Sequence, residues 1–139
     1  MRSRLVGALG VAVLAPVLVA ILGVEAAGAS TCTATYQEVN SWSYQENGSW
    51  VTDNMVEISI KNTSPSIIDE WQLNWTWPGN QKVTVSLAGR MDQSGADVTV
   101  HSNGSWNPMK PNAAVQLAFI QRGTSAAPAP TVTCTPVQS

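Results

Sequence analysis

The chain has 139 residues, seven basic and nine acidic, a formal net charge of −2 and one histidine. No basic stripe runs through it, which argues against recognition of nucleic acid or of an anionic membrane surface. With one histidine and two cysteines there is no ligand set for a metal centre, and no cofactor motif is present.

Arg2 and Arg4 precede an apolar run from Leu5 to Val24, and small residues follow in EAAGAS. This is the order of a secretory signal peptide, with Ala27-Gly28-Ala29 placing the cut before Ser30. The competing reading is a retained membrane anchor. Pro16 within the run and the small residues after it favour cleavage. Residues 1–29 are therefore expected to be a signal peptide, and 30–139 one secreted, extracellular, monomeric domain that leaves the membrane once cut. Without the leader, five basic and eight acidic residues remain, a net charge of −3.

Cys32 and Cys134 stand at opposite ends of that domain. An even count in an exported chain predicts a disulfide. It would close a loop of about 100 residues, which the chain-entropy account values at roughly 4–5 kcal/mol. It would also bring the first and last strands together.

Next comes SWSYQENGSW, Ser41 to Trp50, with two tryptophans and Tyr44 among polar residues. Asn47-Gly48 predicts a tight reversal, and the stretch is expected to project as a loop from one edge of the domain. Period-two patterns then predict strands. In MVEISIKN, Val56, Ile58 and Ile60 share one face; in EWQLNWTW, Trp71, Leu73, Trp75 and Trp77 do. Pro78 to Asn80 is a turn. KVTVSL puts Val83, Val85 and Leu87 in phase, and DQSGAD reads as a turn region. Val98 and Val100 pair in DVTVHS; Val115, Leu117 and Phe119 pair in AVQLAFI; PTVTC closes the chain. Short alternating strands with regular turns predict an all-β fold, an antiparallel β-sandwich of immunoglobulin-like or jelly-roll-like type.

The six tryptophans divide in two. Trp71, Trp75 and Trp77 lie on an apolar parity and are expected in the core. Trp42, Trp50 and Trp106 each follow a serine, and the last two sit in a repeated NGSW. No apolar stripe accompanies them. They are either plugs on the ends of the sandwich or an exposed platform. A flat indole suits the C–H face of a β-linked pyranose, with amides such as Asn103, Asn107, Gln45 and Gln93 at the hydroxyls.

These residues resemble the family 2 carbohydrate-binding modules of bacterial cellulases, xylanases and chitinases. The resemblance runs through CTATYQEVNSW, ISIKNTSPSIIDEWQLNWTWPGNQKVT, QSGADVTV, WNPMKP and the closing Cys134. It implies a β-sandwich whose exposed tryptophans dock on cellulose, chitin or xylan, and a terminal disulfide. Trp106 takes a ligand-facing position. Trp42 and Trp50 compete for another: Trp42 keeps the family's distance from Cys32, Trp50 its distance to Asn62. The sequence departs from the pattern where the family carries a further exposed tryptophan, because Leu87 or Ala88 stands there.

Catalysis is not expected. Glycoside hydrolysis needs two carboxylates across a cleft, and the adjacent Asp69 and Glu70 would point to opposite faces of a strand. His101 is read as an outward polar residue, and no Gly-x-Ser-x-Gly elbow accompanies it. The alternative to polysaccharide binding is a secreted adhesin or host-interaction protein using the same rings as hot spots.

Overall fold

A computed structural model describes residues 30–87, 90–104, 108–126 and 128–137. Its eight strands are β1 (Cys32–Glu46), β2 (Ser49–Asn62), β3 (Glu70–Thr76), β4 (Lys82–Ser86), β5 (Arg90–Ser94), β6 (Asp97–His101), β7 (Ala114–Arg122) and β8 (Thr133–Val137). They form two antiparallel sheets, ordered β1-β2-β7-β4 and β5-β6-β3-β8. This is the β-sandwich that the alternation implied.

Between the sheets lies one core. Val56, Ile58 and Ile60 of β2, Leu117 and Phe119 of β7, and Val98 and Val100 of β6 are buried in it. So are Trp71, Leu73 and Trp75 of β3, and Trp77 just beyond that strand. Large aromatics suit a layer about 10 Å thick. Trp75 stacks on Phe119 across the core, centroids 5.5 Å apart, and meets Trp77 edge-on at 5.7 Å. Trp77 satisfies its indole N–H on the Tyr36 hydroxyl at 3.1 Å.

Each pair of sheet edges is tied. At one, the Cys32–Cys134 disulfide joins β1 of the first sheet to β8 of the second. At the other, the Gln93 side chain links β5 to β4: it donates to Gln81 O and Gly95 O and accepts from Val83 N–H. Gln93 is thus spent on backbone groups. The expectation that it serves sugar hydroxyls is corrected.

Three local readings also change. SWSYQENGSW is not a loop. It is the far end of one long hairpin, with only Asn47 and Gly48 between the strands, at φ 53° and 81°. Left-handed backbone at both turn residues matches the strand twist, so the ribbon continues to its tip. RMDQS forms strand β5 with little apolar content, because pairing to β6 and the Gln93 bridge hold it. Finally, β4 breaks register between Val83 and Val85. That irregularity leaves Val83 half-buried and turns Val85 and Leu87 outward, so the three are not in phase.

Candidate functional site

The first sheet's outer face is shaped by a bulge. The register of β1 on β2 shifts between Glu38 and Asn40, leaving Val39 unpaired. Cross-strand partners share a face, and an extra residue exchanges the faces of everything after it. Before the bulge, Tyr36 pairs with Ile58 and points into the core. After it, Trp42 pairs with Asp53 and Tyr44 with Val51, on the outer side. Without the bulge, Trp42 would share the parity of Tyr36.

Trp42, 37% exposed, begins a row that crosses the sheet through Asp53 and Arg122 to Lys82. The next row holds Met55, Ile120 and Val85. Beyond it, Leu87 donates its N–H to Ala118 O and is 59% exposed. An indole at one edge and aliphatic side chains at the other thus share one face, three strand spacings or about 14 Å across the sheet and one to two rows along it.

A polar cluster fixes the base of the ribbon. Arg122 Nε donates to Asp53 Oδ1 at 3.0 Å, and Tyr44 donates its hydroxyl to Asp53 Oδ2 at 2.8 Å. Arg122 also donates to the Tyr44 oxygen and to Glu46 Oε1, and its guanidinium lies 5.9 Å from the Tyr44 ring centre. The hydrogen bond from Arg122 holds the Asp53 carboxyl below its ordinary range, against the opposing effect of burial. Asp53 accepts from Tyr44 and so pushes that phenol up. Residues 49–51 of β2 lie past its last pair with β7, Asp53–Arg122, and past Thr52, whose carbonyl accepts from Gly123 N–H, so the tip of the ribbon is paired by β1 alone. Isolated two-stranded ribbons are marginal in water, and Arg122 ties this one to the sheet.

Trp50 does not join Trp42. It pairs with Gln45, an odd number of residues from Trp42, and therefore faces the other side of the ribbon, 72% exposed. Trp50 lies one pair from the turn-flanking Glu46–Ser49, at the tip of the ribbon and away from its base. Trp106 and Asn107 lie outside the described residues, as does Ala88. Asn103, half-buried, follows the end of β6 on the second sheet. The residues missed in the sequence are Arg122 and Asp53, and the bulge that places Trp42. The sequence carries no signal for the bulge: Tyr36 and Trp42 are both even-numbered, and both stand among mostly polar residues.

On the outside of the second sheet, a groove of about 590 Å³ is lined by Asn74, Thr76, Asp97, Thr131 and Thr133, above buried Trp75 and Val98. Its lining includes one carboxylate, Asp97, which accepts from Thr76 at 2.6 Å. His101 is half-buried, its Nε2 3.6 Å from Asp92 Oδ2.

Comparison with known proteins gives the architecture its relatives. The chain is 36% identical over 94 residues to endoglucanase A of Thermobispora bispora, covering 67% of this chain and 19% of that enzyme. It is 30% identical over 122 residues to chitinase 63 of Streptomyces plicatus, covering 86% and 18%. The chain therefore spans less than a fifth of these curated relatives. Among solved structures, the chitin-binding domain of Chi18aC from Streptomyces coelicolor superposes with a TM-score of 0.59 at 22% identity, over 76% of this chain and 91% of that one. The cellulose-binding family 2 domain of ScLPMO10C gives 0.58 at 20% identity, over 78% and 99%. The profile of one family, described as cellulose binding domain, matches residues 32–137, from the first cysteine to the last strand. By that match the chain belongs to the cellulose binding domain family.

Proposed function

We propose that this chain is a non-catalytic module that binds a β-1,4-linked polysaccharide, cellulose, chitin or xylan, by stacking indole rings on sugar faces. The observation that carries the reading is the outward turn of Trp42 onto a sheet face that also exposes Val85 and Leu87. A pyranose of a β-linked glucan presents C–H groups on its face and hydroxyls around its edge. The indole covers the face, worth about 0.5–1.5 kcal/mol beyond buried area. Polar groups serve the edge: Tyr44 and Arg122 lie beside the ring, and Asn103 and Asn107 are assigned the same role near Trp106. The names of the relatives, an endoglucanase and chitinases, support this ligand class. So do structural neighbours named for binding chitin, cellulose and xylan.

The reading includes a leader at residues 1–29, secretion, and action as a monomer. It assigns no chemistry to the module, since glycoside hydrolysis requires a carboxylate pair. The test is depletion of protein from solution by microcrystalline cellulose, chitin and insoluble xylan. The parent is expected to be retained by at least one of them and Trp42→Ala to be retained less. Equal retention of Trp42→Ala and parent would remove Trp42 from the site; retention of the parent by none would overturn the function.

A further inference from the structure

We infer that the ribbon carries a second polysaccharide site, centred on Trp50, so that one module holds two chains. The inference rests on the polysaccharide reading and extends it to a surface distinct from the Trp42 face.

The two indoles project from opposite sides of a ribbon that is one strand layer thick. A flat surface or one straight chain that stacks on Trp42 cannot also reach Trp50. A ligand on Trp50 is therefore a separate chain.

The surface around Trp50 suits a neutral, hydroxyl-bearing ligand. By register, Ser41, Ser43, Gln45 and Thr52 share its side of the ribbon. None is ionisable. Gln45 stands directly across from the ring, and Ser43 and Thr52 share a hydrogen bond of 2.8 Å one step closer to the sheet. The other side of the same ribbon carries Glu46, Asp53 and Arg122. The charges are thus confined to one side. A protein partner steered by charge would meet that side, whereas an indole edged by amide and hydroxyl groups fits a sugar.

The site is also held in place. Asn47-Gly48 adopts the paired left-handed conformation of a tight turn, and the Arg122 cluster ties down the ribbon base. A ring presented on a rigid strand loses little freedom on binding. With 72% of it exposed, the indole is also the least covered of the described tryptophans, and a ligand would remove that apolar area from water.

The test uses the full domain with cellohexaose, chitohexaose and xylohexaose as probes, followed by NMR of the indole N–H resonances. The expected result is that the Trp50 resonance shifts on titration in the parent and still shifts in Trp42→Ala. Calorimetry with the hexaose that binds is expected to count two ligands per parent molecule and one per Trp50→Ala molecule. Trp50→Phe keeps an aromatic face and is expected to restore the second. A Trp50 resonance that never moves, or that moves only when Trp42 is present, overturns the second site while leaving the first intact. A dimer in the parent that Trp50→Ala converts to monomer also overturns it, because the ring is then a contact between copies. If the parent binds none of the hexaoses and none of the insoluble polysaccharides, both the second site and the function are lost.

Discussion

Arg122 of β7 and Asp53 of β2 face each other on the row that begins with Trp42, Nε to Oδ1 3.0 Å. The pair ties the base of the projecting ribbon, and its charge state follows pH. Asp53 is held below the ordinary carboxylate range, chiefly by the hydrogen bond from Arg122. A lowered native pKa means that the unfolded chain binds the proton first. The stability contributed is therefore complete above the ordinary aspartate pKa and is lost as pH falls through that range to the lower native value. Melting temperature is expected to fall with acidity in this window, more steeply for the parent than for Asp53→Asn. Parallel profiles for the two proteins would show that the pair does not couple to folding. Trp42-dependent binding should weaken in the same window if the cluster also sets the ring's position.

Val39 supports a second prediction. It is the unpaired residue that carries β1 from the core parity of Tyr36 to the outward parity of Trp42. Deleting Val39 removes the extra residue, so Glu38↔Val56 runs directly into Asn40↔Met55 and Trp42 stays opposite Asp53 on the outer face. The shortened protein is expected to keep its disulfide and its polysaccharide retention, because every residue on either side of the bulge keeps its partner and its face. Lost retention by a deletion variant that still folds would show that the register assigned to this hairpin is wrong.

The same bulge explains what the sequence does and does not disclose. In β3, Trp71, Leu73 and Trp75 alternate without interruption, so one parity marks the core, and all three are buried. The Asn47-Gly48 turn is legible because few residue pairs accept left-handed backbone at both positions. In contrast, a bulge has no composition of its own. Val39 looks like any strand valine, and the shift at Thr84 likewise sends Val85 to the face opposite Val83. Period-two reading fails at such points because it assumes unbroken register. The pairing of Arg122 with Asp53 spans 69 residues, and only the alignment of β2 with β7 makes it visible. The sequence does establish that Trp42 and Trp50 lack apolar company; which side of the ribbon each faces depends on the register.

A third prediction separates the ring that holds the fold from the ring that meets the ligand. Trp75 is buried, stacked on Phe119 and edge-on to Trp77. Its truncation removes a large side chain and leaves a cavity, so Trp75→Ala should cost about 3–5 kcal/mol. Trp42 is partly exposed on the outer face, and Trp42→Ala should cost well under that while weakening retention. Urea unfolding of both variants checks the contrast. Equal destabilisation would mean that Trp42 acts as a cover for the sheet rather than as a platform.

The last prediction concerns Leu87, one of the two positions, with Ala88, at which the resemblance places an aromatic ring and this chain has none. The side chain is 59% exposed, and its backbone N–H donates to Ala118 O at 3.2 Å, which keeps it on the outer face of the first sheet. That is the face of Trp42, at the opposite edge. Because the site is open, a larger side chain there should enter solvent rather than the core, and Leu87→Trp should leave stability nearly unchanged. It would add a second indole to the face, three strand spacings across the sheet and about four residues along it from the first. One more stacked sugar is worth about 0.5–1.5 kcal/mol beyond area, which is about 2- to 12-fold in affinity. The gain should appear with insoluble polysaccharide and should largely vanish in Leu87→Trp combined with Trp42→Ala, because the added ring acts with its neighbour on one chain. Binding isotherms on the retained polysaccharide measure both effects. A Leu87→Trp protein that folds like the parent and binds no more tightly would show that the ligand does not extend across the sheet to β4, and that Trp42 acts with rings elsewhere.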